Sequence, residues 1–435
     1  MNYQETIQYL YDSAPLFQQI GGAAYKPGLQ NSLDLDRHFG HPHRRYRTIH
    51  VAGTNGKGSC AHTLAAVLRV AGYRVGLYTS PHLVDFRERI RVDGEMIPEQ
   101  YVVDFVARER AFFEPLHPSF FELTTALAFK YFEDAGVDIA VIETGLGGRL
   151  DCTNIITPVL SLITNISLDH TQFLGDTPER IAAEKAGIIK SGVPAVVGEA
   201  QDSTRRVFRE AADRVGAPLY FAEDAPELVS WHSVDESRMV CETRTFGRLV
   251  YDLPGACQRK NVETLLCALK VLKEFLPLDN SVITEAFSKV KALTHLRGRW
   301  EVVHREPMVI CDTGHNPGGW QYLGKQLENA AYRKIHVVFG MAGDKDIDTV
   351  LSLLPPTACY YFTKASVRRA MNEAELLEKA RLHGLHGVAC PDVPSAFRAA
   401  AAEAAPDDLI YVGGSSFIVA DFLASGGWEA LCPDA

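Results

Sequence analysis

A chain of 435 residues, 46% apolar and 23% charged, has the composition of a soluble globular protein and the length for two or three domains at ~100–200 residues each. Its formal net charge of −10 argues against nucleic acid as the main partner but leaves room for small anionic substrates at a local basic site. The nine Cys are scattered with no CxxC pair and no zinc spacing, no apolar run is long enough to cross a bilayer, and residues 1–15 (MNYQETIQYLYDSAP) are acidic and amphipathic where a signal peptide would be basic and then apolar. These features point to a cytoplasmic protein with no nucleic-acid or membrane partner.

Taken in order, residues 3–11 read as a short amphipathic helix ended near Pro15. Gly21, Gly22, Pro27 and Gly28 make a loop, and Leu29 to Phe39 is compatible with a helix. A loop this long, set ahead of a buried strand, is uncommon unless it contributes to a site. Thr48 to Val51 then form a β-prone run, Gly53, Gly56 and Gly58 punctuate a turn, and Ala61, Leu64, Ala65 and Leu68 repeat at helical spacing. Ser59 is expected as the N-cap and Gly72 as the C-cap. A strand, a glycine-rich turn and a helix in succession aim backbone N–H groups and a helix N-terminus at one point, which suits a phosphate. Lys57 would supply charge to it, and the Ser59 hydroxyl would face the nucleotide's magnesium. The spacing is not the common P-loop pattern: Val51 stands where a Gly is usual, and Gly58 separates Lys57 from Ser59.

Arg74 to Tyr78 reads as a second strand, leading to Ser80 at its carboxyl end, where α/β proteins place ligands. FRERIRVDGEMIP (86–98) alternates like a strand with a solvated edge carrying Arg87, Arg89 and Arg91, an arrangement that could bind an anion. Helices are expected over 99–114 and 120–132. Residues 138–143 (DIAVIE) form the near-continuous apolar run of a buried parallel strand, ending in the carboxylate of Glu143, a metal or base candidate. Residues 160–166 form another, followed by Asp169 and His170. Thr177 caps a helix through Ile189, in which Glu184 and Lys185 would ordinarily be surface charges. A strand follows at 195–197, then short antiparallel strands over 218–252, then a long helix with Gln258 and Asn261 in its first turn. Lys289 to Arg297 reads as a basic connector. Beyond it, strands at 300–304, 308–311, 335–339, 359–362 and 409–412, with loops at 312–317 and 340–346, describe a small, mostly parallel α/β domain. The expected organisation is α/β throughout: a P-loop-containing, mostly parallel sheet flanked by helices over 1–296, and a smaller Rossmann-like domain over 297–435.

Eight stretches, in this order, resemble the bifunctional folylpolyglutamate synthase/dihydrofolate synthase family of the Mur ligase superfamily: HVAGTNGKGS (50–59), TSPHL (79–83), FFELTTALAF (120–129), ETGLGGRLDCTN (143–154), NISLDHTQFLGDTPERIAAEKAGIIK (165–190), GRWE (298–301), DTGHNP (312–317) and GMAGDKD (340–346). The resemblance implies an ATP-dependent amide ligase that adds L-glutamate to dihydropteroate and to reduced folates through an acyl phosphate, in a cleft that closes on ATP. It assigns Thr54, Asn55, Gly56, Lys57, Gly58 and Ser59 to the phosphates, and Asn261, Arg299, Asp312 and His315 to the nucleotide, the last two reaching from the second domain. Ser59, Ser80, Glu143, His170 and Lys185 would hold magnesium, with two ions expected. Lys185 would act after N6-carboxylation by CO2, and a monovalent cation such as K+ would complete the set. Lys57, Lys185, His170 and Glu143 would carry catalysis, and Gly28, Leu29, Phe120, Phe121 and Asp151 would contact the pteroate substrate. Two departures stand out: Arg297-Gly298-Arg299 replaces the usual Pro-Gly-Arg, so Arg299 is chosen by register, and Cys257 replaces the usual His before Gln258. A monomer is expected. The rival readings are a monofunctional folylpolyglutamate synthase; a Mur-type ligase for a nucleotide-linked precursor, disfavoured because only about 45 residues precede the loop strand; and a non-catalytic nucleotide sensor, disfavoured because Lys57, Ser80, Glu143, His170 and Lys185 are all present.

Overall fold

The long apolar runs of the sequence become the inner strands of two separate sheets, because a strand covered by helices on both faces needs apolar side chains on both. The computed structural model describes residues 1–13 and 28–431; the end of the first helix at Pro15 and the Gly21, Gly22 and Pro27 loop lie outside them. The chain divides into two compact units, the first made of Met1–His232, Met239–Asp252 and Gln258–Leu296, the second of Ser233–Arg238, Leu253–Cys257 and Arg297–Ala435.

The first unit is built on an eight-stranded sheet in the order β4-β3-β2-β5-β1-β6-β7-β8. Its strands are β1 (Arg47–Ala52), β2 (Val75–Tyr78), β3 (Ile90–Val92), β4 (Glu95–Met96), β5 (Ile139–Glu143), β6 (Leu160–Ile163), β7 (Ala195–Val197) and β8 (Leu219–Phe221). All neighbours are parallel except β2–β3 and β3–β4. β5 and β6 are buried along their whole length, and only Arg47 of β1 is exposed. The register pairs Val51 with Glu143, so the phosphate turn and this carboxylate leave the sheet side by side. One apolar cluster joins the helices Glu99–Phe113 and Phe120–Asp134 to this sheet; another lies around β6, β7 and the helices Pro178–Ala186 and Asp202–Val215. β9 (Leu228–Asp235), β10 (Arg238–Thr243) and β11 (Arg248–Tyr251) form the small sheet expected over 218–252, whereas β8 joins the large sheet instead.

The second unit carries a six-stranded sheet, β12-β13-β17-β14-β15-β16. Its strands are β12 (Glu301–Arg305), β13 (Met308–Asp312), β14 (Ile335–Phe339), β15 (Cys359–Phe362), β16 (Gly387–Ala389) and β17 (Leu409–Gly413), with only β12 antiparallel. Trp300, Trp320, Phe339, Phe362 and Tyr411 belong to its core. The fold class is as expected: a mostly parallel sheet flanked by helices and a smaller C-terminal α/β unit.

Several local expectations fail, and one helix was not expected. The helix after the turn runs Lys57–Val70 with Gly56 as N-cap, so Ser59 lies inside its first turn. Gly56 adopts a left-handed φ of 83°, which starts the helix earlier than a side-chain cap would. Residues 86–92 form a 3-10 turn (Phe86–Arg89) and then β3, and Arg89 and Arg91 are buried, not solvated. The amphipathic helix Asp202–Val215 escaped the sequence reading, and the basic connector contains the helix Val290–Thr294.

Candidate active site

The carboxyl ends of β1, β2, β5 and β6 converge on one region of the first unit, as the strand order requires of a parallel sheet. The turn after β1 is held from the β6 side. Thr54 N and Asn55 N donate to Asn165 O and Oδ1 at 3.0 and 2.9 Å. Thr54 Oγ1 donates to Ser167 O and accepts from Ser167 N, both at 3.1 Å. Thr164 Oγ1 donates to Asn55 O at 2.5 Å. A Cβ at Gly53 would lie 1.8 Å from Thr164 Oγ1, so this clamp needs glycine there. Thr164, Asn165 and Ser167 were not singled out from the sequence, although their polar run at a strand tip is the kind of signal that could have marked them.

The two lysines meet in the turn. Lys57 Nζ donates to Gly53 O and Thr54 O, each at 3.1 Å, and Lys185 Nζ donates to the same Gly53 O at 2.8 Å. Lys185 is 3% exposed, against the expectation of a surface charge. The cause lies in two glycines. A Cβ on Gly148 would come within 3.0 Å of the Glu184 and Lys185 backbone, and one on Gly187 within 2.4 Å of Arg149. The 145–149 loop therefore sits directly on the helix Pro178–Ala186. Burial, and then the neighbouring Lys57 charge, pull the Lys185 ammonium down to about 7.

Glu143, 3% exposed at the tip of β5, accepts from Ser80 N at 3.1 Å, which joins two of the expected metal residues. His170, in a left-handed conformation, opens the short helix Thr171–Leu174, its Nε2 3.9 Å from Asp169 Oδ1. Among the described residues no group of three or more His, Cys, Asp or Glu could hold a metal. Glu143 is a single buried carboxylate beside the turn, and magnesium binds through one or two carboxylates while phosphates and water complete its octahedron. Ser59 is buried and accepts from Gln258 Nε2 at 3.2 Å. Asn261 lies against Gly56, where an added Cβ would be 2.1 Å from Asn261 Oδ1.

The residues expected at the pteroate substrate divide. Gly28 and Leu29 precede the helix Gln30–His38, which packs on the helix Phe120–Asp134 and the turn Cys152–Ile155. Phe120 is buried beneath Arg89, whose guanidinium lies 5.3 Å from its ring centroid. Phe121 is half-buried and covers Gly145, where a Cβ would be 2.3 Å from the ring. Asp151 is buried, and its carboxylate accepts from Gly145 N and Leu146 N, both at 2.8 Å, from Thr153 N at 3.0 Å and from Thr153 Oγ1. Burial pushes its carboxyl up, and these four donors oppose that push.

In the second unit Asp312 closes β13, accepting from Trp300 N at 2.7 Å and Gly314 N at 2.8 Å; burial pushes its carboxyl up, against the pull of Arg299. Arg299 donates to Thr313 Oγ1 and to Gly298 O, and His315 Nδ1 lies 3.1 Å from Thr313 O. Arg297 pairs instead with Glu301.

Residues 51–269 match the Mur ligase middle domain, and residues 298–416 match the Mur ligase, glutamate ligase domain. The chain is 33% identical over 411 residues to the dihydrofolate synthase/folylpolyglutamate synthase of Bacillus subtilis, covering 91% of this chain and 94% of that one. It is 37% identical to a probable bifunctional folylpolyglutamate synthase/dihydropteroate synthase of Haloferax volcanii, covering 97% of this chain but spanning only 50% of that longer relative. A crystal structure of a bifunctional folylpolyglutamate synthase/dihydrofolate synthase with Mn, AMPPNP and L-glutamate bound superposes with a TM-score of 0.80 at 30% identity, covering 98% of both chains. The chain belongs to the Mur ligase family, among the dihydrofolate synthases/folylpolyglutamate synthases.

Proposed function

We propose that this protein is an ATP-dependent amide ligase that adds L-glutamate to dihydropteroate, forming dihydrofolate, and to reduced folates. The observation that carries the reading is the convergence of a clamped phosphate turn, a buried carboxylate and a buried lysine at the ends of β1, β5 and the helix Pro178–Ala186. Amide formation from a free carboxylate is uphill in water, so the substrate's carboxylate takes the γ-phosphoryl group and ADP departs. The amine of glutamate then attacks the acyl phosphate, and phosphate leaves as the amide forms.

The chain's residues serve these steps as follows. Lys57 leaves the carbonyls of Gly53 and Thr54 to place its charge on the transferred phosphoryl group, while the N–H groups of Gly56, Lys57, Gly58 and Ser59 cradle the phosphates. Ser59, Ser80, Glu143 and His170 hold the divalent ions, which when bound offset the repulsion among the polyanions. An amine drawn down to about 7 is about half unprotonated at neutral pH, and the neutral amine is the form that adds to CO2: Lys185 Nζ bonds to carbon, a proton is released, and the resulting carbamate is an anion able to hold a second ion. K+ is proposed as an additional ion. Thr54, Asn55, Asn261, Arg299, Asp312 and His315 position the nucleotide, and the engagement of Arg297 by Glu301 supports Arg299 as the ATP contact. Gly28, Leu29, Phe120 and Phe121 bound the pteroate; Phe121 faces it and Phe120 backs the wall. Asp151 acts through the loop it organises. The protein works as a cytoplasmic monomer, with domains over 1–296 and 297–435.

Phosphate release with ATP, magnesium and L-glutamate tests this, with dihydropteroate in one assay and tetrahydrofolate in another. Release with both is expected. Release with tetrahydrofolate alone would make it a dedicated polyglutamate synthase, and release with neither, despite ATP binding, would return the protein to another Mur-type ligase or a nucleotide sensor.

A further inference from the structure

We infer that Gln258 is a positioning residue of the phosphate loop, orienting the Ser59 hydroxyl toward a nucleotide-bound cation and tying it to Asn261. The inference deepens the nucleotide reading of residues 53–59 and rests on it. Gln258 is the first residue of the helix Gln258–Leu272 and is 2% exposed. A buried amide must satisfy its oxygen and its nitrogen, and here each meets a partner. Asn261 Nδ2 donates to Gln258 Oε1 at 2.8 Å, so the NH2 group faces the other way and Gln258 Nε2 donates to Ser59 Oγ at 3.2 Å. The serine oxygen therefore accepts from Gln258. It keeps one lone pair and its own O–H proton, which are the groups a cation and a phosphate oxygen would use.

The far end of the chain is equally constrained. Gln258 and Asn261 stand three residues apart on one helix face. Asn261 Oδ1 rests where a Cβ on Gly56 would be 2.1 Å away, and Gly56 can accept that approach because it has no side chain and a left-handed φ of 83°. One helical turn thus braces both ends of the segment Gly56-Lys57-Gly58-Ser59: Asn261 at its first residue and Gln258 at its last. Without Gln258 the serine hydroxyl loses its fixed donor and is free to rotate away from the cation.

The test is the gain in affinity that magnesium confers on a fluorescent N-methylanthraniloyl-ATP probe, measured by titration with and without the metal, alongside a thermal melt. Gln258→Met should lower that gain about threefold to tenfold, the worth of one buried hydrogen bond. Ser59→Ala should lower it too, and Gln258→Met added to Ser59→Ala should lower it no further. If Gln258→Met does not fold, Gln258→Asn replaces it; one methylene shorter, it cannot span both partners and should show the same loss. An unchanged gain in the variant, or losses that multiply in the double mutant, overturns the inference while leaving the nucleotide site standing. A wild-type protein that shows no magnesium gain overturns the nucleotide reading and this inference with it.

Discussion

Lys57 and Lys185 donate to one carbonyl oxygen, that of Gly53, which holds their nitrogens within about 6 Å of each other. At an effective dielectric of about 20, two unit charges at that separation repel by roughly 3 kcal/mol. That repulsion adds to burial in lowering Lys185 to about 7. Lys57→Ala should abolish phosphoryl transfer, because Lys185, the other lysine that donates into the turn, becomes an anion as its carbamate and cannot replace that charge; wild-type turnover in that variant, measured as phosphate release, would remove Lys57 from the mechanism. Lys185→Ala should cost turnover more than ATP affinity, with partial rescue by short carboxylic acids. Labelled CO2 should add to the wild type increasingly as pH climbs through about 7, and an intact mass lacking the adduct throughout, with no rescue, would exclude the carbamate. Stability moves the same way. The folded lysine loses its proton near 7 and the unfolded one near 10.5, so the penalty for burying it is full below about 7 and is relieved as pH rises between those values. In CO2-free buffer Lys185→Met should therefore melt above the wild type at pH 6, with the gap narrowing toward pH 9. None of this was legible locally: a Glu-Lys pair in an amphipathic helix reads as surface, and Lys185 is covered only because Gly148 and Gly187 let a distant loop settle on its backbone.

At the scale of elements, the inner strands were legible and several caps were not, for physical reasons. β5, β6, β7 and β14 lie in apolar runs that only a buried parallel strand needs, and they appear within a few residues of where the sequence puts them. The helix after β1 begins two residues before Ser59 because a left-handed Gly56 makes the turn by itself. The segment from Phe86 to Val92 was misread because Arg89 is stabilised by partners elsewhere in the chain, among them His82 Nδ1 at 2.7 Å and the Phe120 ring. The loop 144–154 is the element on which the proposed chemistry turns. Asp151 gathers four donors from its backbone and from Thr153, and the loop's glycines seat it on the helix of Lys185. Gly148→Ala should push loop and helix apart, and with them Lys185 Nζ from Gly53 O. We expect turnover to fall at least tenfold with ATP affinity nearly unchanged. Equal losses in both would mean that the loop serves nucleotide binding rather than catalysis.

At the scale of the molecule, the two units differ in how they are assembled from the chain. The first unit is interrupted twice, since Ser233–Arg238 and Leu253–Cys257 group with the second. Ala256 N donates to Gln326 Oε1 at 2.8 Å within that second unit. Its apolar cluster, however, is drawn wholly from residues between Trp300 and Tyr411. A core contained in one continuous segment can form without the rest of the chain, and 139 residues is an ordinary domain size of about 100–150. The segment 297–435 expressed alone should therefore fold. Of its three tryptophans Trp300 and Trp320 are buried and Trp428 is half-buried, so its tryptophan emission should be blue-shifted and should move red in a single cooperative melt. The melt should fall below that of the same unit in the whole chain, because the Ala256–Gln326 bond is lost. The segment should release no phosphate from ATP, since Lys57, Glu143 and Lys185 all lie in the first unit. Red-shifted emission with no cooperative transition would instead mean that the crossing segments are part of the folding unit, and that the boundary at 297 is one of sequence rather than of stability.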